Sequence, residues 1–251
     1  DYKISDVEIF VQSDNNTINT KEFKKYLNIQ EQDNLIKDQI INLNSNFTIN
    51  ASIDDTFNIK KFDIKSNLNF DNLNINYRSN FIKKYLTSFD NKIAIKNPQI
   101  LFEYSNDIIN LQLDGKYLLQ NKEDNFFIKY KGSKNNYELY TLLNLDDSDL
   151  KIDEIQYLKK KNIPSKLEIL LNKSTNGFNL QKISFTENKN YISIDNLYMS
   201  DDFKLQSVDK IDANFFNSKG VKNNFQIKKN SNNYQFIGNQ IDGEKIIEKL
   251  L

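Results

Sequence analysis

The chain has few side chains whose type and spacing suit catalysis or metal binding. Its 251 residues include no His and no Cys. The commonest general base, the commonest metal ligand and all thiolate chemistry are therefore excluded. Asp and Glu together number 34, but their spacing singles out no pair for acid–base catalysis. We predict a protein that is not an enzyme, with no catalytic site, no metal site and no cofactor.

Two short motifs resemble sites of known chemistry. The glycines of the segment 238–245 have the spacing of a phosphate-binding loop, but Glu244 occupies the lysine position and no Ser or Thr follows. We expect a strand-to-helix turn there. Asp146, Asp147 and Asp149 crowd one turn that is short and lacks the glycine of a calcium loop, so we expect a solvated acidic turn.

Charge gives no indication of a nucleic-acid partner. Lys and Arg together number 34, equal to the acidic residues, and Arg78 is the single arginine. The run 159–161 of three lysines could attract anionic lipid, at about 1 kcal/mol per charge. We expect instead an exposed hairpin end, where lysine also guards sheet edges against aggregation.

Strict alternation of apolar and polar residues is the dominant pattern of the chain. In residues 41–53 the odd positions are apolar apart from Ser45, and the even positions are Asn, Thr or Ser. Such a period of two gives an extended strand with one apolar and one polar face. Thirteen residues at about 3.3 Å each would extend roughly 43 Å, which is long for a strand.

The same alternation, broken by polar turn clusters, predicts strands along nearly the whole chain. They lie near 2–12, 39–53, 56–65, 66–77, 91–96, 99–105, 107–120, 125–131, 136–145, 149–158, 165–173, 177–187, 190–199, 203–216, 221–229 and 233–238. The connections are too short for parallel crossovers. We therefore predict a mainly β fold, a long antiparallel meandering sheet in a single segment over residues 1–251.

Only a few short helices interrupt this pattern. Helical spacing of apolar residues appears in 20–28, 80–89 and 244–251. The phase of the alternation also slips after Asn72, which predicts a bulge. Pro98 is expected between two strands, where it breaks no ladder.

The sheet predicted in this way has a continuous apolar face. Its candidate binding residues are apolar side chains expected to share that face: Ile41, Leu43, Phe47, Ile49, Ile53, Phe62, Ile64, Leu68, Phe70, Leu111, Leu113 and Tyr117. Alternation alone leaves two interpretations open. The face can be sealed as half of a β-sandwich or solenoid, acting as a structural or adhesive module, or it can stay open to an apolar ligand.

Several motifs in the second half resemble the AsmA-like proteins of bacterial envelopes, the group of YhdP and TamB. Ile155-Gln-Tyr157-Leu-Lys159 is similar to the apolar-x-Tyr-x-Lys strand end of that family. The segment 234–243, followed by the apolar-rich 246–251, is similar to its module ending. The likeness covers residues 91–251.

This resemblance implies a function as well as a fold. Members of the family form a long sheet curved into an elongated apolar groove that conducts phospholipids between the inner and outer membrane. The implied partners are phospholipid acyl chains and other envelope proteins. The implied location is the periplasm, with an inner-membrane anchor outside this chain. We accordingly expect the chain, which runs from Asp1 to Leu251, to be part of a longer protein.

Overall fold

A computed structural model of the chain describes residues 6–21, 38–54, 56–119, 122–231 and 233–244. Most of these residues are in β-strands, so the predicted mainly β fold is confirmed. The described strands, in chain order, are β1 (Asp6–Asn19), β2 (Ile40–Ile53), β3 (Ile59–Phe70), β4 (Asn72–Asn76), β5 (Lys92–Ser105), β6 (Ile108–Leu118), β7 (Glu123–Gly132), β8 (Tyr137–Asn144), β9 (Leu150–Ile152), β10 (Tyr157–Lys159), β11 (Ser165–Ser174), β12 (Gly177–Glu187), β13 (Asn190–Met199), β14 (Leu205–Phe216), β15 (Lys222–Asn230) and β16 (Asn233–Gln240).

The strands form a 14-stranded antiparallel meander, as predicted. Its order is β1-β2-β3-β5-β6-β7-β8-β11-β12-β13-β14-β15-β16, with β4 pairing with β5. Strands β9 and β10 form a separate two-stranded hairpin. Chain neighbours are therefore almost always sheet neighbours, as the hairpin-length connections require.

The chain divides into two compact units. Unit 1 comprises residues 1–77, 92–118 and 125–137, and unit 2 comprises residues 78–91, 119–124 and 138–251. Strands β1–β6 belong to unit 1 and strands β9–β16 to unit 2. That residues 1–251 make a single segment stays a prediction.

Four predicted strands combine differently around Asp71 and Pro98. Most of 56–77 is one strand, β3, followed after a bend at Asp71 by β4, and 91–96 joins 99–105 as the single strand β5. Pro98 therefore lies inside a strand, and its predicted position between two strands is wrong. A bulge at 97–98, where Asn97 has a positive φ of 45°, tolerates the proline because a bulged residue makes no ladder hydrogen bond.

Two further predictions need correction in unit 2. The strand predicted over 149–158 is broken by a 3₁₀ turn (Asp153–Ile155) between β9 and β10, because Gln156 adopts a left-handed φ of 54° that ends the turn. The helix predicted over 80–89 is shorter, α1 (Asn80–Tyr85), with the Ser79 side chain capping it by accepting from the Ile82 N–H. The predicted helices 20–28 and 244–251 lie almost wholly outside the described residues.

Buried apolar side chains are concentrated in unit 2. Those of unit 2 are Phe89, Leu145, Tyr157, Phe185, Ala213, Phe215 and Phe225. The buried apolar side chains of the described part of unit 1 are Pro98, Tyr117 and Phe126. Unit 1 is thus a sheet whose apolar side chains lie mostly half-exposed.

Candidate functional site

The apolar side chains of unit 1 form transverse rows on one face of its sheet. Directly opposed residues of antiparallel strands point to the same face. One row joins Ile9, Ile49, Ile64, Tyr104 and Ile109 through four successive pairings. We call this side the apolar face of unit 1.

Two parallel rows extend this face on one side of the first. The nearer consists of Val11, Phe47, Ser66, Phe102 and Leu111. The farther consists of Ser13, Ser45, Leu68, Ile100 and Leu113. Ser45 and Ser66 are buried although they break the apolar pattern, because larger neighbours flank their short side chains.

The phase slip predicted after Asn72 keeps the apolar residues on this same face. The Asn97 N–H donates to the Asp71 carbonyl at 2.9 Å, so the bend before β4 and the bulge in β5 lie side by side. Beyond them Leu73 pairs with Ile95, and Ile95 pairs with Tyr117. Both strands change phase together, and the rows therefore continue across the irregularity.

The register places every sequence-predicted site residue on the apolar face of unit 1. Ile49 pairs with Ile64, and Leu43 pairs with Phe70. The remaining residues join through these pairings: Ile41 with Ile18, Ile53 with Ile59, Phe62 with Ala51, and Phe47, Leu68, Leu111, Leu113 and Tyr117 through the rows above. The Phe62 and Tyr104 rings also approach each other, with centroids 6.3 Å apart.

This apolar face is not sealed by a second layer within the described part of unit 1. Substantial contacts there join strands that neighbour one another in the sheet, apart from a small contact between β2 and β4. Of the predicted site residues Tyr117 alone is buried, packed edge-on against Phe126 at 6.2 Å, while Phe62 is 38% exposed. The others are half-buried. Apolar area therefore remains available for a ligand.

The opposite face of unit 1 is mostly polar, although Phe10 and Leu101 are exposed on it, and it bears a pocket of about 600 Å³. Asn46, Asn67 and Gln112 line it together with Lys65 and Glu103, whose charged groups lie 3.6 Å apart. These amide and charged groups would have to be desolvated by an apolar ligand without receiving hydrogen bonds in return. The apolar face is thus the better candidate site for an apolar ligand.

Unit 2 carries a second set of apolar rows, and the site residues predicted from the sequence include none of them. One row joins Ile169, Ile183, Ile194, Ile211, Ile227 and Phe236. A second joins Leu167, Phe185, Ile192, Ala213 and Phe225. The alternation in β11–β15 is the signal that could have identified this apolar face of unit 2.

The other side of unit 2 is covered by a network of charged and amide groups. Lys182 Nζ lies 2.6 Å from Glu168, and Lys210 Nζ lies 3.0 Å from Asp212. Burial alone would raise the pKa of Asp212. Hydrogen bonds from Lys210, Tyr191 and Gln226 have the larger combined effect, so the pKa of Asp212 is lowered. The two faces thus differ in chemistry as sharply as they do in unit 1.

The hairpin β9–β10 and its flanks cover one end of the apolar face of unit 2. Tyr157 is 1% exposed, and its ring packs edge-on against Phe185 and Phe215 at centroid distances of 5.7 and 5.5 Å. Its hydroxyl donates to the buried Glu187 carboxylate. We call residues 145–164 the cap.

Lys159, predicted to lie at an exposed hairpin end, is instead fully buried inside the cap. Its ammonium donates to the carbonyl oxygens of Asp146, Ser148 and Lys160 at 3.1, 2.7 and 3.1 Å. Burial lowers the pKa of Lys159, and the nearby carboxylate of Asp124 opposes that shift. The prediction fails for Lys159 because these carbonyl groups replace its water, whereas Lys160 is exposed.

The acidic turn is therefore organised around an internal cation. The buried Asp124 carboxylate accepts from the N–H groups of Asp146 and Asp147 at 3.2 and 3.3 Å, and Asp146 accepts from the Ser165 N–H at 2.8 Å. Asp146, Asp147 and Asp149 are half-buried, so the predicted solvated turn is wrong. Across the described residues, no group of three or more His, Cys, Asp or Glu side chains is arranged to hold a metal ion.

Comparisons with protein-family models, with curated proteins and with solved structures each give no significant match. Within the described residues, no helix has the length and apolar character needed to cross a membrane.

Proposed function

We propose that this chain is a phospholipid-binding segment of a bacterial envelope protein, conducting lipids between the inner and outer membrane along its apolar faces. The observation that carries the proposal is the apolar face of unit 1, where rows of aliphatic and aromatic residues cross successive strands without a covering layer among the described residues.

The energetics of an acyl chain suit such a face. Each Å² of apolar surface removed from water contributes about 25 cal/mol, whatever the direction of the chain. The row from Ile9 to Ile109 crosses five strands without a serine, which allows a tail to slide while it keeps apolar contact. The polar headgroup can remain in water beside the sheet, so no buried cation is needed to hold it.

The resemblance to the AsmA-like family supports the same proposal. The two residues of its Tyr-x-Lys step, Tyr157 and Lys159, are the anchors of the cap. By that resemblance the location is the periplasm, the anchor is an inner-membrane segment outside this chain, and other envelope proteins are its partners.

A structural or adhesive module is the alternative. A closed sandwich needs apolar faces packed until dry, and the half-buried rows of unit 1 do not favour it. A protein partner seated on the apolar face would fulfil an adhesive role. The experiment must therefore distinguish captured lipid from captured protein.

Site-specific photo-crosslinking in cells tests the proposal. A photoreactive residue at Ile49, Phe70 or Leu113, all on the apolar face of unit 1, should capture phospholipid. The matched probes at Asn50 and Gln112 are one position away along the same strands and point to the polar face, so they should capture none. Capture of protein alone by the apolar-face probes, or equal lipid capture on both faces, would contradict the proposal.

A further inference from the structure

The apolar face of unit 2 differs between the two ends of its strands. At one end lie Ser165, Glu187, Asn190 and Phe216, next to the cap, and at the other lie Ser174 and Gly177 with the turn 200–204. We call the latter the rim.

At the cap end the face is dry. Ala213 and Phe225 are buried beside the three rings that Tyr157 joins, and a chain of polar contacts closes the edge. Among these contacts, the Asp242 carboxylate accepts a hydrogen bond from the Asn217 side-chain amide at 2.7 Å. The Asp242 backbone N–H donates to the side-chain oxygen of Asn223, also at 2.7 Å. No polar headgroup can lie here without displacing this packing.

Away from the cap the face is less buried, and two strongly exposed apolar side chains lie at the rim. The row of Ile183, Ile194 and Ile211 is half-buried. At the rim Phe203 is 68% exposed and Leu205 is 64% exposed, and the Phe203 ring stacks on Phe178 at 4.9 Å. The apolar surface therefore widens towards water at the rim.

Two ion pairs lie where the apolar face reaches the rim. Lys173 shares the side of Leu171, and its ammonium lies 4.9 Å above the Phe178 ring and 2.7 Å from Asp201. Lys204 pairs with Asp202 at 2.6 Å. The two lysines and two aspartates leave no net charge, which suits a headgroup that carries both a phosphate and an ammonium group.

The dimensions agree with one acyl tail. From Ile192 near the cap to Met199 at the rim, seven steps of about 3.3 Å give about 23 Å. One tail spans about half of the roughly 30 Å hydrocarbon core of a bilayer, so it fits with its headgroup beyond the rim.

From these observations, and resting on the proposed function, we infer that unit 2 binds a zwitterionic phospholipid with its acyl tail lying along the strands towards Tyr157 and its headgroup at the rim. The packing around Tyr157 stops the tail, and the Lys173–Asp201 and Lys204–Asp202 pairs meet the phosphate and ammonium groups. The stacked rings of Phe178 and Phe203 hold the first methylene groups.

Paramagnetic broadening of methyl signals tests the orientation. The 251-residue protein, with labelled Ile, Leu and Met methyl groups, is loaded with phosphatidylcholine carrying a nitroxide either on the headgroup or at the tail end. The headgroup label should broaden Met199 and Leu205, and the tail-end label should broaden Ile192. The reverse order, or equal broadening by both labels, would overturn the inference while leaving lipid binding intact. Absence of broadening by either label would instead overturn the proposed function.

A pair of matched variants tests the rim independently. Phe203→Ser should weaken binding of phosphatidylcholine about tenfold because it removes apolar contact area at the headgroup end. Phe216→Ser is the control, since Phe216 is also exposed but lies at the cap end, on the side opposite the buried Phe215. Equal losses in both variants, or none in either, would contradict the rim assignment.

Headgroup selectivity completes the test. The double variant Asp201→Asn and Asp202→Asn gives the rim two uncompensated lysines, so binding should shift towards anionic phosphatidylglycerol in vesicle competition, and added salt should weaken that shift. The same preference for phosphatidylglycerol in the unaltered protein would overturn the zwitterionic assignment.

Discussion

The ammonium of Lys159 organises the cap through three backbone carbonyl groups. We expect Lys159→Met to lower the free energy of unfolding by about 3 kcal/mol, because the carbonyl oxygens stay buried without a donor. Urea denaturation measures this. Lys160→Met is the matched control: its exposed side chain should change stability by less than about 0.5 kcal/mol. Equal effects would show that Lys159 is not held as described.

The carboxyl group of Asp124 should impose a distinctive pH dependence. Its pKa is raised from the ordinary 3.8, chiefly by burial, with hydrogen bonds from Asp146 and Asp147 opposing the shift. The folded state therefore binds more protons than the unfolded state between 3.8 and the raised pKa, and stability contributed by this group falls as pH rises through that window. The Asp124→Asn variant should lack this fall in stability. The urea midpoints of the variant and of the unaltered protein should therefore converge or cross as pH rises through that window. A constant difference would contradict the shift.

At the residue scale, alternation was enough to place the predicted site residues on one face, because a period of two fixes side-chain direction in any regular strand. It could not place Lys159. Two of the three partners of its ammonium are backbone oxygens of a turn more than ten residues away, and no side-chain pattern encodes them. The same reasoning explains why the acidic turn was predicted to be solvated.

The bulge in β5 depends on the absence of a side chain in the neighbouring strand. A Cβ at Gly115 would lie 2.9 Å from the Cα of Pro98 and 3.3 Å from the Phe126 ring. We expect Gly115→Val to destabilise the protein by about 1–3 kcal/mol through overpacking, as measured by thermal unfolding. Gln112→Val introduces the same residue in the same strand on the opposite face and should change stability by less than about 0.5 kcal/mol. A Gly115→Val protein of unchanged stability would contradict this close approach.

At the element scale, the strands were predictable where polar turn clusters separate regular alternation, as in β11–β15. The strand boundaries were predicted wrongly where tertiary contacts, rather than local sequence, determine the path of the backbone. Pro98 was expected to separate two strands, yet the bend at Asp71 in the neighbouring strand accommodates it within one. The interruption between β9 and β10 was missed because the Tyr157 side chain, packed on Phe185 and Phe215, sets the path of that segment.

For the molecule as a whole, the two sides of a single sheet have opposite chemistry in both units. Rows of aliphatic and aromatic residues lie on one side, and most of the amides and ion pairs lie on the other. Such a surface exposes apolar area that a soluble protein ordinarily covers. A ligand or a partner that covers it therefore contributes to stability as well as to function.

A pair of neighbouring charge substitutions distinguishes the two sides. Phe47 lies in the middle of the apolar face of unit 1, paired with Val11 and Ser66, whereas Asn46 lines the pocket on the polar face. Phe47→Asp should abolish phospholipid co-purification, measured by mass spectrometry of extracted lipid, because a carboxylate on that face has no partner and repels acyl chains. Asn46→Asp introduces the same charge one residue away, among amides and lysines, and should leave the bound lipid unchanged. Circular dichroism separates loss of lipid from loss of fold, and a folded Phe47→Asp protein that retains its full lipid content would show that the apolar face of unit 1 is not where the tails bind.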